Sequence, residues 1–127
     1  MNNKNPFGEI IYSYTREQAL EDGVLIDVTD IAKEVGIIHP TAITEGILEA
    51  ITPDKRLETE PKTYEAILKS RIWDILWMMK MSIVQSKGGR KVNSRAFIAQ
   101  KWVKYKAECG PGDNGEPIIT IMLPHED

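Results

Sequence analysis

Residues 61–89 read PKTYEAILKSRIWDILWMMKMSIVQSKGG, and this stretch decides the fold. Its apolar side chains recur at intervals of three and four residues, which places them on one face of an α-helix. That face comprises Tyr64, Ile67, Leu68, Ile72, Ile75, Leu76, Met79 and Ile83. Pro61 suits the first turn, where its missing amide costs no hydrogen bond. We predict a long helix that ends at Gly88 and Gly89 and forms the spine of the core.

The chain after this helix has the two-residue period of β-strands. We predict strands over 92–98, 102–109 and 118–123, with the glycine- and proline-rich turn 110–117 between the last two. In the middle strand one face comprises Val103, Tyr105, Ala107 and Cys109. The opposite face comprises Trp102, Lys104, Lys106 and Glu108.

The chain before the long helix contains shorter elements. We predict strands over 9–14 and 24–28, and a first helix with a capping box at 15–18 and a stop at Gly23. A second helix, capped by Asp30, runs through Val35, and a third opens at 39–41 and continues to Ile51. We expect one α+β domain over 1–127, with 1–8 flexible. Short helices and the long central helix pack on a small C-terminal antiparallel sheet.

Composition limits the class of protein. The 127 residues suit one ordinary domain, with 42% apolar and 28% charged residues. A single cysteine, Cys109, excludes an internal disulfide framework. The first residues lack the apolar core of a signal peptide, and no apolar run is long enough to span a membrane. We therefore expect a cytoplasmic protein, bacterial or from a phage, with no membrane partner.

The charges are divided unevenly along the chain. Residues 75–107 contain eight of the sixteen Lys and Arg residues and none of the nineteen Asp and Glu residues. Aromatic residues are interleaved with these cations, a combination that can contact an anionic partner. The candidate binding surface comprises Arg90, Lys91, Arg95, Trp102, Lys104 and Lys106. A solvated face, or one neutralised by the acidic N-terminal half, is the alternative.

Other candidate sites have structural explanations. Cys109 lies on the predicted inner face, and neither His39 nor His125 has the context of a catalytic base. The turn at 110–117 lacks the Gly-Lys-Ser/Thr of a phosphate loop and the spaced carboxylates of a calcium site. Three Cys and His residues are too few for a usual structural zinc site. We predict no catalytic residue, no metal and no cofactor.

The tryptophan cluster of the long helix has two interpretations. Trp73 and Trp77 are four residues apart, on the flank of the apolar stripe. They indicate core packing at a helix edge where Arg71 and Asp74 pair, or an exposed patch for a partner.

Three blocks resemble a family of small domain-of-unknown-function proteins from bacteria, plasmids, integrative elements and phages. They are YTREQALEDGVLIDV at 14–28, RIWDILWM at 71–78 and CGPGDNGEPIITIMLP at 109–124. The resemblance implies a stand-alone domain and a mobile-element setting. It implies no activity, and it assigns no functional residue.

The sequence thus favours a small non-enzymatic protein that binds another protein, with homodimerisation as an open possibility. The alternative is a nucleic-acid-binding protein that uses the basic block at 80–106. An enzyme would have to use Cys109 or the carboxylates near the turn.

Overall fold

The computed structural model describes residues 14–87 and 89–126. The helices are α1 (Arg16–Glu21), α2 (Thr29–Glu34), α3 (Glu45–Ile51) and α4 (Pro61–Ser86), with a 3₁₀ turn at Lys55–Thr59. The strands are β1 (Leu25–Asp27), β2 (Thr41–Thr44), β3 (Lys91–Ile98), β4 (Lys101–Pro111) and β5 (Pro117–Met122). The predicted α+β class is confirmed. The strand predicted at 9–14 lies outside the described residues, apart from Tyr14, which is in no strand.

The five strands form one mixed sheet in the order β1-β2-β5-β4-β3. The C-terminal strands β3, β4 and β5 pair antiparallel, as predicted. The sheet is larger than predicted, because β2 adds to β5 in parallel and β1 pairs antiparallel with β2. The edges of the described sheet are therefore the three-residue β1 and the eight-residue β3.

Helix α4 packs on the inner face of the sheet, principally over β3. Its buried residues are Ile72, Ile75, Leu76 and Met79, all from the predicted apolar face. Tyr105 of β4 is almost fully buried, and its hydroxyl donates to the carbonyl of Ile75 at 2.9 Å. The helix and the sheet thus share one core, and α4 forms its spine as the periodicity predicts.

The predicted third helix is wrong at its start. Residues Thr41–Thr44 form strand β2, and α3 begins at Glu45 with Thr44 as its N-cap. Every residue of β2 is buried, since the strand lies between β1 and β5. A short strand buried on both faces has no alternation, so its apolar positions can be assigned equally well to a helix.

The predicted helix cap at Asp30 and the predicted Arg71–Asp74 pair are also wrong. Asp30 lies inside the first turn of α2, and the N-cap residue Val28 makes no side-chain capping bond. Arg71 donates to the carbonyl of Ile51 at 3.0 Å, and the structure shows no Arg71–Asp74 hydrogen bond or ion pair. By contrast, the capping box of Thr15 and Gln18 on α1 is confirmed.

The β3–β4 connection is a two-residue turn without glycine or asparagine. Ile98 pairs with Lys101, so Ala99 and Gln100 form the turn. Both have positive φ, at 51° and 66°, as a type I′ turn requires. Positive φ strains the backbone of a residue that has a Cβ atom, because the Cβ then crowds the following carbonyl oxygen. Because Ala99 and Gln100 are not typical turn residues, this hairpin turn was not predictable from the sequence.

Candidate functional site

The candidate binding surface lies on the outer face of β3 and β4, opposite α4. Side chains two apart along a strand point the same way, and the strand register places two rows side by side. Phe97 lies opposite Trp102, Arg95 opposite Lys104, and Asn93 opposite Lys106. We call this set of outer-face residues the cationic face; it comprises Lys91, Asn93, Arg95, Phe97, Trp102, Lys104 and Lys106. Five of the six residues chosen from the sequence are thus brought together.

The sixth residue, Arg90, lies just before β3. It lines a cleft of about 480 Å³ together with Lys91 and Glu108 at the end of the cationic face. Lys80, from the same basic block of the sequence, lies elsewhere. Its ammonium is 5.6 Å from the ring centroid of Trp77 on α4. The basic block of the sequence therefore divides between two surfaces.

The charges of the cationic face are little neutralised by the described chain. Lys91 approaches Glu108 at 3.9 Å, and within residues 14–87 and 89–126 no other cation of this face forms an ion pair. Arg95 and Lys104 are directly opposite on neighbouring strands, an arrangement in which like charges repel. Neutralisation by the acidic N-terminal half, the alternative explanation, does not occur through direct pairing in the described residues.

The aromatic end of the cationic face is exposed. Phe97 and Trp102 retain 56% and 53% of their accessible surface. Their rings meet edge to face with centroids 5.2 Å apart, and the guanidinium of Arg95 lies 4.4 Å over the Trp102 ring. Large aromatic groups among cations are typical of interaction surfaces. One face of Trp102 is already covered by Arg95, which reduces the area open to a stacking ligand.

Cys109 lies on the inner face of β4, as predicted, and is half-buried. Burial raises the pKa of its thiol, so the reactive thiolate is disfavoured. His39 and Cys109 both line a second cleft, of about 540 Å³, yet no hydrogen bond joins them in the structure. Burial in this environment therefore opposes activation of the thiol.

The loop between β4 and β5 holds α1, a role that sequence reasoning missed. The carboxylate of Asp113 accepts from the backbone N–H groups of Arg16 and Glu17, at 2.9 and 3.0 Å. The guanidinium of Arg16 donates to the Thr120 hydroxyl at 2.7 Å and to the Ile119 carbonyl at 3.1 Å. Burial lowers the pKa of Arg16, and nearby carboxylates, Asp113 first, oppose that shift. These partners are about a hundred residues apart in sequence, so no local pattern marks them.

The C-terminal segment is tied to the same side of the sheet. Glu126 accepts from the Thr44 hydroxyl and from the backbone N–H of Leu123, both at 2.7 Å. A Cβ at Gly46 would come within 2.8 Å of the Glu126 carboxylate and 3.0 Å of Leu123. A side chain at Gly46 would therefore displace the Glu126 carboxylate from these two hydrogen bonds.

The tryptophan cluster of α4 is partly exposed. Trp73 and Trp77 stack with centroids 5.5 Å apart, and Trp77 retains 41% of its accessible surface. Trp73 packs against the core, as the core-packing interpretation predicts, and Trp77 extends from it. A partner for the exposed ring stays a prediction.

In the part of the chain that the structure describes, no three His, Cys, Asp or Glu residues are grouped to hold a metal ion. Within those residues, too, no helix combines the length and apolar character needed to cross a membrane.

Comparison with known proteins gives one match. No curated protein and no solved structure matches the chain significantly. One family model, described as a family of unknown function (DUF6573), matches residues 1–127. Because the match covers the whole sequence, the chain belongs to the DUF6573 family.

Proposed function

We propose that this protein is a non-enzymatic binding protein whose cationic face docks on an acidic partner protein. The observation that carries the proposal is the cross-strand row of Arg95, Lys104 and Lys106, which lacks ion-pair partners among the described residues. Neighbouring like charges destabilise a folded chain, and an acidic partner would remove that repulsion. The raised pKa of the Cys109 thiol supports a role without nucleophilic catalysis.

The setting proposed with this function is the bacterial cytoplasm, in a phage or another mobile element. It is supported by the resemblance of the three sequence blocks. A role in acting on a host protein is compatible with that setting. The proposed face itself rests on the charges and the strand register, independently of the setting.

The second candidate is binding of single-stranded nucleic acid by the same face. The exposure of Phe97 and Trp102 beside cations favours it, because bases stack on aromatic rings while phosphates attract Lys and Arg. The position of Arg95 over Trp102 weighs against it, since a base would have to displace the guanidinium from that side of the ring.

The test is binding of two anionic probes, polyglutamate and a fifteen-nucleotide oligo-dT, at low and at physiological salt. Lys104→Glu with Lys106→Glu should weaken binding of the favoured probe at least tenfold, because two attractions become repulsions. The matched control, Lys55→Glu with Lys62→Glu, makes the same charge change at two exposed lysines outside the cationic face.

The outcomes separate the candidates. Binding of polyglutamate that is lost in the first variant and kept in the control supports an acidic protein partner. Tighter binding of oligo-dT, with a steep dependence on salt, replaces that proposal by nucleic-acid binding. Equal behaviour of the two variants would show that net charge, rather than the cationic face, determines binding.

A further inference from the structure

In the described part of the chain, no strand pairs with the side of β3 that faces away from β4, so this side of its backbone is open there. The carbonyl of Arg90 accepts from the N–H of Cys109 at 2.8 Å, and these two residues continue the register in which Lys91 lies opposite Glu108. In an antiparallel pair, hydrogen-bonded and non-bonded pairs alternate. Even-numbered residues of β3 therefore bond to β4, and odd-numbered residues direct their N–H and C=O groups away from it. The open edge consists of Lys91, Asn93, Arg95 and Phe97.

The same four residues direct their side chains onto the cationic face. A strand added beside β3 would place every second side chain next to Lys91 and Arg95. Side chains of neighbouring strands on one face lie about 5 Å apart, which is close enough for ion pairs. The edge is therefore complementary to a strand whose outer side chains are acidic.

On the inner side, a groove separates the end of β3 from α4. It has a volume of about 370 Å³ and is lined by residues that include Ile67, Arg71, Asp74, Phe97 and Ile98. Further along, the carbonyl of Met78 lies 3.3 Å from the Ser94 hydroxyl of β3. At 100° per residue, Met78 and Met81 lie on the same side of α4 as Ile67, and each methionine retains 39% of its accessible surface. The inner side chains of an added strand would meet this flank of α4, where Ile67, Met78 and Met81 offer apolar contacts beside the charged Arg71 and Asp74.

We propose that the open edge of β3 binds an extended acidic segment of a partner protein as a sixth strand. Its acidic side chains face the cationic face, and the alternate apolar side chains face the flank of α4. Main-chain hydrogen bonds supply the register, and the side chains supply selectivity. This inference rests on the proposed function and names the form in which the partner binds.

A second copy of this chain is a poorer occupant of the edge. Pairing β3 with another β3 would bring Lys91 and Arg95 of each copy close to the same cations of the other. Like charges on neighbouring strands oppose pairing, and charged edges are a common protection against self-association. The charges that disfavour self-pairing favour an acidic strand.

The test uses a capped ten-residue peptide that alternates Glu and Val, and two derivatives with N-methyl groups on all Glu or on all Val residues. All three carry the same side chains and charge. One derivative loses the N–H groups that would bond to β3, and the other loses those that point away. Strand addition predicts at least a tenfold difference in Kd between the derivatives, since several hydrogen bonds are lost in one of them.

The amides of the open edge give a second readout. On binding the unmethylated peptide, hydrogen exchange of Asn93 and Arg95 should slow at least tenfold, because their N–H groups gain acceptors. The amides of Ser94 and Ala96, already bonded to β4, should change little. Unchanged exchange at Asn93 and Arg95 with peptide bound would overturn the proposal.

A pair of variants tests the edge from the protein side. Asn93→Pro removes an N–H that points away from β4, so the β3–β4 hydrogen bonds remain. It should weaken peptide binding at least tenfold, whereas Asn93→Ala, which keeps the N–H, should weaken it less than threefold. Equal effects of the two substitutions would contradict strand addition.

Failure of this inference is distinguishable from failure of the proposed function. If all three peptides bind equally and Lys104→Glu with Lys106→Glu abolishes binding, charge attraction stands and strand addition is overturned. If no peptide binds and polyglutamate binds, strand addition is likewise overturned. If no peptide and no polyglutamate binds, both proposals fail, and binding of oligo-dT would then support the nucleic-acid alternative.

Discussion

Tyr105 shows how one residue links the sheet to α4. Its side chain is almost fully buried, and its hydroxyl donates to Ile75. Burial, with a smaller contribution from the Asp74 charge, raises its pKa from 10.0 to about 12, and the neighbouring Ser94 hydroxyl opposes the shift. The folded protein therefore holds this proton more tightly than the unfolded chain. The stability it confers is complete below pH 10 and is lost as the pH rises through about 12.

We predict that Tyr105→Phe lowers the free energy of unfolding by about 1 kcal/mol at pH 7, through loss of one hydrogen bond. Above pH 10 the variant should lose less stability than the wild type, because phenylalanine does not ionise. Urea unfolding at pH 7, 10 and 11 measures both effects. Other tyrosines and lysines titrate in both proteins, so the difference between the two curves isolates Tyr105. Parallel curves would contradict the assignment.

Long, regular patterns made two elements easy to predict from sequence, whereas the short α1 was predicted from its capping box. The 26-residue α4 offers many turns of apolar spacing, and β4 alternates over most of its length. Strand β2 has four residues, all buried, and its parallel pairing with β5 joins Thr41 to Ile119. Only tertiary pairing distinguishes such a segment from a helix start. The cationic row on β4 could likewise be read from sequence, whereas its position beside β3 depends on the hairpin register.

The strained β3–β4 turn leads to a prediction about stability. Ala99 and Gln100 adopt positive φ, which costs on the order of 1 kcal/mol or more for each side chain that has a Cβ. Ala99→Asn with Gln100→Gly supplies the pair that type I′ turns prefer. We expect the free energy of unfolding to rise by about 1–2 kcal/mol. Thermal or urea unfolding measures it, with Ala99→Val as the matched opposite change, which should lower stability because a β-branched residue is disfavoured at positive φ. No gain in stability would contradict the strained turn.

At the scale of the whole molecule, charge is segregated in a protein of net charge −3. Helix α1 lies on the β1 side of the sheet and is held by Arg16 and Asp113, whereas the β3 side remains cationic. Arg95, Lys104 and Lys106 have no ion-pair partner among the residues that the structure describes. Such a row of like charges lowers the stability of the unbound protein, because each strand of the hairpin brings a cation next to a cation of its neighbour. Binding surfaces often retain such unfavourable local arrangements.

This segregation predicts that the cationic face is not optimised for stability. Lys104→Glu places a carboxylate opposite Arg95, so repulsion becomes attraction. At low salt the variant should be slightly more stable than the wild type, and Lys104→Gln should lie between them. Added salt should reduce these differences, because the face is exposed and screened within about 10 Å at 0.1 M ionic strength. Urea unfolding of the three proteins at two salt concentrations measures this order.

A wild type more stable than both variants at low salt would mean that Lys104 is already paired within the fold. The cationic face would then be part of the architecture, and the case for an acidic partner would lose its main support.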